Sequence, residues 1–430
     1  MQVTAELDRS MVWRRGGSMR YLVVRVTGTG EAPQLGRAAL NLALVVDASG
    51  SMEGEPLNFA IDAAQRVVRR LSDEDRLSVV SFDGRVSDHL VSEKMTPEGR
   101  ERAVRALGTI HAGGPTNLSG GWLRGAEHVA SAMEAELGTQ NRVILLSDGH
   151  ANSGIVDPAE LAEHASQLAL RGLISSTVGI GDNYHAETLE AIAMNGGGTH
   201  HRAARPHEIV EVVTAELEDI RLMAAESVKV TLRHAPGVQI KCLNEFPLTS
   251  TAEGAVCSLG SLTAGASRTA VFRVKFPSGK VGEEFPFEVR ASWKRPGGEV
   301  SEAEPLRVAA CFAEGSVNRA QEHDAELTEV VAQVWQAYLV RRVVRLNRER
   351  QYTEAVQLLD RHLPSFTRYA KNAKSGPALL AELEKVRRAA SREWKEGNRK
   401  EVEIAMLQCV YSREDSRAMA KERKWDELLS

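Results

Sequence analysis

The run Leu40–Val46 (Leu-Asn-Leu-Ala-Leu-Val-Val) is almost continuously apolar and stops at Asp47. It is too short to span a membrane, and it lacks the alternation of a half-exposed strand. It therefore predicts a strand buried on both faces. A helical pattern follows over Pro56–Leu71, with Pro56 suited to an early helical position. The same grammar repeats. Arg76–Phe82 reads as a strand, Val86–Val91 as a short edge strand, and Thr96-Pro97 opens a helix to Leu107. Gly120–Leu137 reads as a helix and Arg142–Leu146 as a second apolar strand, and Asp157-Pro158 caps a helix to Arg171. Leu173–Ile180 reads as a third buried strand, His185–Asn195 as a short helix ended by three glycines, and Pro206–Met223 as a last helix. Strands and helices alternating at these lengths predict parallel strands with helices on both faces.

Beyond Ser227 the pattern changes to alternating strands, among them Val228–Leu232, Ala270–Phe276 and Phe285–Trp293. They are separated by turns at Pro236-Gly237, Pro277-Ser278-Gly279 and Pro296-Gly297-Gly298, the pattern of an antiparallel β-sandwich. Residues 2–27 share it, with Tyr21–Val26 a strand. The predicted fold is thus an α/β domain with a doubly wound, mostly parallel sheet, inserted into an antiparallel β-sandwich and followed by a helical C-terminal region. The expected units are residues 1–37 (first sandwich strands), 38–223 (α/β domain), 224–316 (rest of the sandwich) and 317–430 (helices). In the last unit helices are expected over Gln321–Asn347 and Tyr352–His362, then a long run from Pro377.

Composition narrows the class. With 430 residues, 43% hydrophobic and 26% charged, the chain supports a full core and falls among ordinary globular proteins. The net charge is −4 (54 Lys+Arg against 58 Asp+Glu), so no global field favours nucleic acid or an anionic membrane. Residues 316–430 hold 22 Lys+Arg and 18 Asp+Glu, a mildly basic +4, leaving −8 for the remainder. The four cysteines (Cys242, Cys257, Cys311, Cys409) are too few and scattered for a disulfide framework. Cys242 and Cys257 could face one another on neighbouring strands, but two buried thiols are expected rather than a bridge. Met1–Gly17 carries Glu6, Asp8 and Arg9 where an export signal needs an apolar stretch, and no run reaches the length of a membrane helix. The expected location is a reducing cytoplasm.

The candidate chemistry stands at the end of the first strand, in Asp47-Ala48-Ser49-Gly50-Ser51 followed by Met52. Residues two apart on an extended loop project to one side, so Asp47, Ser49 and Ser51 can converge. The point of convergence lies at the carboxyl end of a central parallel strand, where open α/β sheets place ligands. Hydroxyl and carboxylate oxygens are hard donors suited to Mg²⁺, Mn²⁺ or Ca²⁺. An Asp-x-Ser-x-Ser pattern arises by chance in roughly one chain of this length in ten, so it means little alone. Two further loops sharpen it: Gly113-Gly114-Pro115-Thr116-Asn117 before a helix, and Leu145-Leu146-Ser147-Asp148-Gly149 at the end of the second apolar strand. The predicted register brings all three to one edge of the sheet.

With these three loops the chain resembles the von Willebrand factor type A (vWA) family, a Rossmann-like fold with a metal-ion-dependent adhesion site (MIDAS). The resemblance covers about Ala38–Met223. It implies that Ser49, Ser51 and Thr116 coordinate the ion directly, while Asp47 and Asp148 act directly or through water. Three neutral hydroxyls leave the ion's charge largely uncancelled, and at least one coordination position stays with water. An Asp or Glu of another protein can take that position. In some members the last helix shifts on binding; here that helix is Pro206–Met223. The overall layout also resembles inter-alpha-trypsin-inhibitor heavy-chain-like and chloride-channel-accessory-like proteins, including bacterial members. Related bacterial proteins work beside a chaperone-like ATPase or a signalling kinase and phosphatase, which implies partners of that kind.

Other signals are weaker. Asp182 ends a strand on the same edge and is read as a turn or N-cap residue. His200 and His201 are adjacent and point to opposite faces of a strand, so they do not share an ion, and His111 is read as a surface histidine. The chain has no P-loop, no Gly-x-Ser-x-Gly elbow and no His-Glu-x-x-His helix. Arg341, Arg342, Arg345, Arg348 and Arg350 are read as the solvated face of a packed helix rather than a nucleic-acid site. Gln351–Leu359 faintly resembles a tetratricopeptide helix without its repeat. The expected function is a non-catalytic, cation-dependent protein-binding scaffold. The alternatives are a metal-dependent phosphoester hydrolase and a structural protein with a fold-stabilising ion.

Overall fold

The computed structural model describes residues 1–29, 38–133, 139–148, 151–181, 184, 186–251, 254–295 and 298–411. Three strands open the chain: β1 (Gln2–Leu7), β2 (Met11–Trp13) and β3 (Met19–Thr27). β1 and β3 pair antiparallel, and the strands that complete the sandwich with these three follow only after residue 222.

The α/β domain comes between. Its elements are β4 (Leu40–Asp47), α1 (Glu55–Arg70), β5 (Arg76–Phe82), β6 (Val86–Lys94), α2 (Pro97–Leu107), α3 (Leu118–Met133), β7 (Gln140–Ser147), α4 (Pro158–Leu170), β8 (Leu173–Ile180), α5 (Ala186–Asn195), β9 (Gly197–Ala203) and α6 (Glu208–Arg221). The strands lie in the order β6-β5-β4-β7-β8-β9, parallel except for the antiparallel edge strand β6. Every residue of β4, β7 and β8 is buried, because helices cover both faces. Apolar side chains of α1, α2 and α6 pack on one face and those of α3, α4 and α5 on the other. Thr96 and Asp157 cap α2 and α4, accepting from Gly99 N and Ala159 N.

One strand of this sheet escaped the hydrophobic pattern. β9 (Gly-Gly-Thr-His-His-Arg-Ala) has almost no apolar residues, yet it extends the sheet beside β8. A Cβ on Gly198 would stand 2.2 Å from the Ser175 carbonyl oxygen, so only glycine permits this close approach. The last helix is also shorter than the pattern suggested: it starts at Glu208, and Met223 already belongs to the next strand.

The sandwich resumes with β10 (Met223–His234), β11 (Gln239–Cys242), β12 (Leu248–Thr251), β13 (Gly254–Thr263), β14 (Ser267–Lys275), β15 (Glu284–Lys294), β16 (Val300–Glu302) and β17 (Leu306–Ala313). One sheet has the order β1-β3-β14-β11 and the other β12-β13-β10-β15-β17-β2, with β16 on β15. The amino-terminal strands therefore enter both sheets, and the α/β domain is inserted between the parts of one sandwich. Leu22, Val24 and Val26 of β3 share its core with Phe272, Phe276, Phe285 and Phe287. A buried ion pair, Arg142 Nη2 to Glu226 Oε1 at 2.6 Å, joins β7 of the α/β sheet to β10. Cys242 and Cys257 are free and buried, on opposing sheets rather than on neighbouring strands.

Helices complete the described chain: α7 (Gly315–Ala320), α8 (Ala325–Arg348), α9 (Tyr352–Ala370), α10 (Gly376–Ala389) and α11 (Glu396–Tyr411). Three expectations fail here. α9 runs through Pro364 instead of ending at His362, because Phe366 and Tyr369 beyond the proline pack against Trp335, and Tyr369 also stacks on Tyr21. The long run from Pro377 divides, and Trp394 in the break bonds Ala389 O and Asn347 Oδ1. Arg341 departs from the solvated face assigned to it. It is 4% exposed and paired with Glu245 (3.1 Å) and, at 3.9 Å, with Glu190 of α5.

Candidate functional site

β4 lies between β5 and β7, so the loop after it emerges mid-sheet, and backbone hydrogen bonds stitch that loop to its neighbours. Ala48 N donates to Phe82 O (2.8 Å), Gly113 N to Ala48 O (2.8 Å) and Gly50 N to Gly114 O (3.1 Å). The Thr116 segment is held in turn by the loop after β7. Thr116 N donates to Asn152 Oδ1 (2.8 Å), and Asn152 N and Ser153 N donate back to Thr116 O. Gly114 adopts φ +73°, and a Cβ there would meet Asp83 Oδ2 at 3.1 Å; a side chain would strain the turn and crowd this carboxylate.

On this frame the Ser49 and Ser51 hydroxyl oxygens lie 3.1 Å apart. Asp47 is fully buried. Its Oδ1 accepts from Ser49 N (2.9 Å) and its Oδ2 from the Ser147 hydroxyl (2.5 Å). Thr116 and Asp148 are buried as well. Ser51 is exposed, so the cluster opens to solvent on its side. Burial pushes the Asp47 carboxyl up to about 6; hydrogen bonds from Ser147 and Ser49 oppose this, and the nearby Asp148 charge adds to it.

This donor set fits a hard divalent cation. Two buried carboxylates close enough to repel, next to paired hydroxyl oxygens, are an arrangement that positive charge relieves. Among the described residues no group of three or more His, Cys, Asp or Glu side chains is placed to hold a metal, so any ion here depends on the hydroxyls. Ser49, Ser51 and Thr116 would hold it, with Asp47 and Asp148 behind or beside them. Bound there, it would supply a positively charged centre with exchangeable water.

Of the residues named from sequence, Asp47, Ser49 and Ser51 are linked by direct hydrogen bonds, Asp148 acts on Asp47 through its charge, and Thr116 joins through its loop. His111 is exposed. His200 bonds Thr177 and Tyr184, while His201 bonds Glu216, which accounts for both without an ion. Asp182 and Gly149 lie outside the described residues. Sequence reasoning gave no role to Ser147, Asn152 or Asp83. Ser147 was in view, one residue before Asp148, and a hydroxyl there on the strand adjoining Asp47 was the available signal.

The family model of the von Willebrand factor type A domain matches residues 41–214. The chain carries a vWA domain. An uncharacterized Synechocystis sp. protein is 30% identical over 201 residues, 46% of this chain and 46% of that protein. Rat inter-alpha-trypsin inhibitor heavy chain H3 is 32% identical over 165 residues, 37% of this chain and 18% of that one. The chain thus spans less than half the length of these relatives. Among solved structures, a von Willebrand factor type A protein from Catenulispora acidiphila superposes with TM-score 0.72 at 18% identity, covering 94% of this chain and 96% of that one. The ArnB paralog VWA2 from Sulfolobus acidocaldarius gives 0.59 at 16%, covering 95% and 98%. At these identities the likeness is one of fold. It takes in the sandwich and helices along with the vWA domain.

Proposed function

We propose that this vWA protein is a non-catalytic scaffold that binds a protein partner through a divalent cation held by Ser49, Ser51, Thr116, Asp47 and Asp148. Mg²⁺ is the expected ion, with Mn²⁺ or Ca²⁺ able to replace it. The observation that carries the reading is the engagement of Asp47, whose two oxygens are occupied by Ser49 N and the Ser147 hydroxyl. A carboxylate so held acts on the ion mainly through water, so neutral hydroxyls provide the direct contacts and the ion keeps charge for an incoming carboxylate. A partner's Asp or Glu completes the coordination. Hydrolysis of phosphoesters asks for several direct carboxylates and a base, and the hydroxyl-rich set is a poor match.

The partner class that fits the resemblance is a chaperone-like ATPase or a signalling kinase or phosphatase, met in the cytoplasm, with no role for nucleic acid. The units 1–37, 38–223, 224–316 and 317–430 belong to the same proposal, with the vWA unit as the binding head. No helix among the described residues is long and apolar enough to cross a membrane. The test is affinity capture on the full chain with Mg²⁺ and with chelator, then binding of the purified partner to the wild-type chain and to Asp47→Ala. Retention should require the ion, fail in Asp47→Ala and fail when one Asp or Glu of the partner becomes its amide. Equal retention in all arms would refute the reading.

A further inference from the structure

Two thiols with no part in the vWA site meet at the rim of the sandwich. Cys242 ends β11, the edge strand of one sheet, and Cys257 lies in β13 of the other, next to the short edge strand β12. Both are buried in the one apolar core between the sheets, and Cys257 is the register partner of Leu248, which opens the strand that follows the crossing from Cys242. Residues 243–247 carry the chain from sheet to sheet at this point, fixed by Leu243 N to Val271 O, Val271 N to Asn244 Oδ1 and Ser258 N to Pro247 O. The thiols thus bracket the crossing. Glu245 within it receives Arg341 (3.1 Å) and Arg345 (3.9 Å) of α8.

We propose that Cys242 and Cys257 form a latent inter-sheet disulfide, closed by a peroxide-class oxidant, that pins the crossing loop and with it the seat of α8. One sulfur, as thiolate, attacks a peroxide oxygen; the O–O bond breaks, hydroxide leaves and takes up a proton as water, and a sulfenic acid forms. The second sulfur, as thiolate, attacks the first; the S–O bond breaks and a second water leaves. Two thiols lose two electrons and two protons, and hydrogen peroxide becomes two waters.

Contact with Cys242 and then burial raise the Cys257 thiol well above the ordinary range, so closure waits on opening of the rim. β12, with three of its four residues exposed, is the strand whose fraying admits the oxidant. The bond closes a loop of about 15 residues, which restricts the unfolded chain. Oxidation is therefore expected to raise the melting temperature.

The experiment treats the full chain, in a Cys311→Ser/Cys409→Ser background, with hydrogen peroxide. It maps peptides without reduction and compares melting before and after dithiothreitol. The expected result is a Cys242–Cys257 linked peptide lacking two hydrogens, with a higher melting temperature that dithiothreitol reverses. Cys257→Ser should show neither. Because the oxidised and reduced forms of one chain are compared, the result stands even where Cys257→Ser folds poorly. Sulfinic or sulfonic acids in place of the link, no reaction under conditions that link a urea-unfolded control, or a linked form that melts lower would each overturn the proposal.

Discussion

Ser147 shows how much of the candidate ion site rests on one hydroxyl. Its Oγ stands 2.5 Å from Asp47 Oδ2 at the junction of β4 and β7, and it aims the carboxylate it bonds. Supports of this kind typically change metal affinity by a factor of about 10–100 when removed. Calorimetric titration of Mg²⁺ into Ser147→Ala should show a loss of that size with the fold intact, and an unchanged affinity would strip Ser147 of the role. The residues around it differ in how visible they are from sequence. Asp47, Ser49 and Ser51 declare themselves because a spacing of two places them on one side of a loop. Ser147 and Asp83 do not, since a lone serine or aspartate at a strand end is ordinary, and only the register of β4 between β5 and β7 gives them work.

Among the elements, α3 lies against the sheet at two glycines. A Cβ on Gly121 would stand 2.3 Å from Phe82 Cδ1, and one on Gly125 would stand 2.4 Å from Val45 Cγ2. Gly121→Ala should therefore destabilise the chain by about 1–3 kcal/mol in denaturant titration, despite alanine's better helix propensity; a stabilised variant would mean that α3 sits further out. The pairing of α5 with the C-terminal helices makes a different prediction. Burial, followed by the negative charge of Glu403, raises Glu190 to about 8, against the pull of Arg341, Arg348 and Arg345. The folded chain then keeps a proton that the unfolded chain releases above the ordinary glutamate value of 4.5. This group's contribution to stability falls as pH rises between those two values, and it is gone above the upper one. Melting temperatures from about pH 5 to about pH 9 should fall further for wild type than for Glu190→Gln; parallel profiles would contradict this. Sequence periodicity announced α5 and α8, but it read Arg341 as solvated. An arginine on a helix has a solvated face by default, and the acids that bury this one come from elements far away in the chain.

For the whole molecule, the change from strand–helix alternation to period-two strands after Ser227 was enough to infer an inserted domain. The two periods are physically incompatible with one continuous layer. Less legible were the joints: Arg142 with Glu226, Arg341 with Glu245, and the passage of α9 through Pro364. Each depends on tertiary partners that override a local rule. The Arg142–Glu226 pair joins the sandwich to the vWA domain, while Arg341–Glu245 and the part of α9 beyond Pro364 join the helices to the sandwich. The candidate site of the vWA domain opens to solvent at Ser51.

The most direct measurement is water-proton relaxation on the full chain loaded with Mn²⁺, whose paramagnetism reports on the waters it holds. Wild type should bind Mn²⁺ and enhance relaxation, as an ion with an exchangeable water does; Ser49→Ala should lose this, and Mg²⁺ should compete it away. No binding, or bound Mn²⁺ with no exchangeable water, would contradict an ion open to a partner's carboxylate.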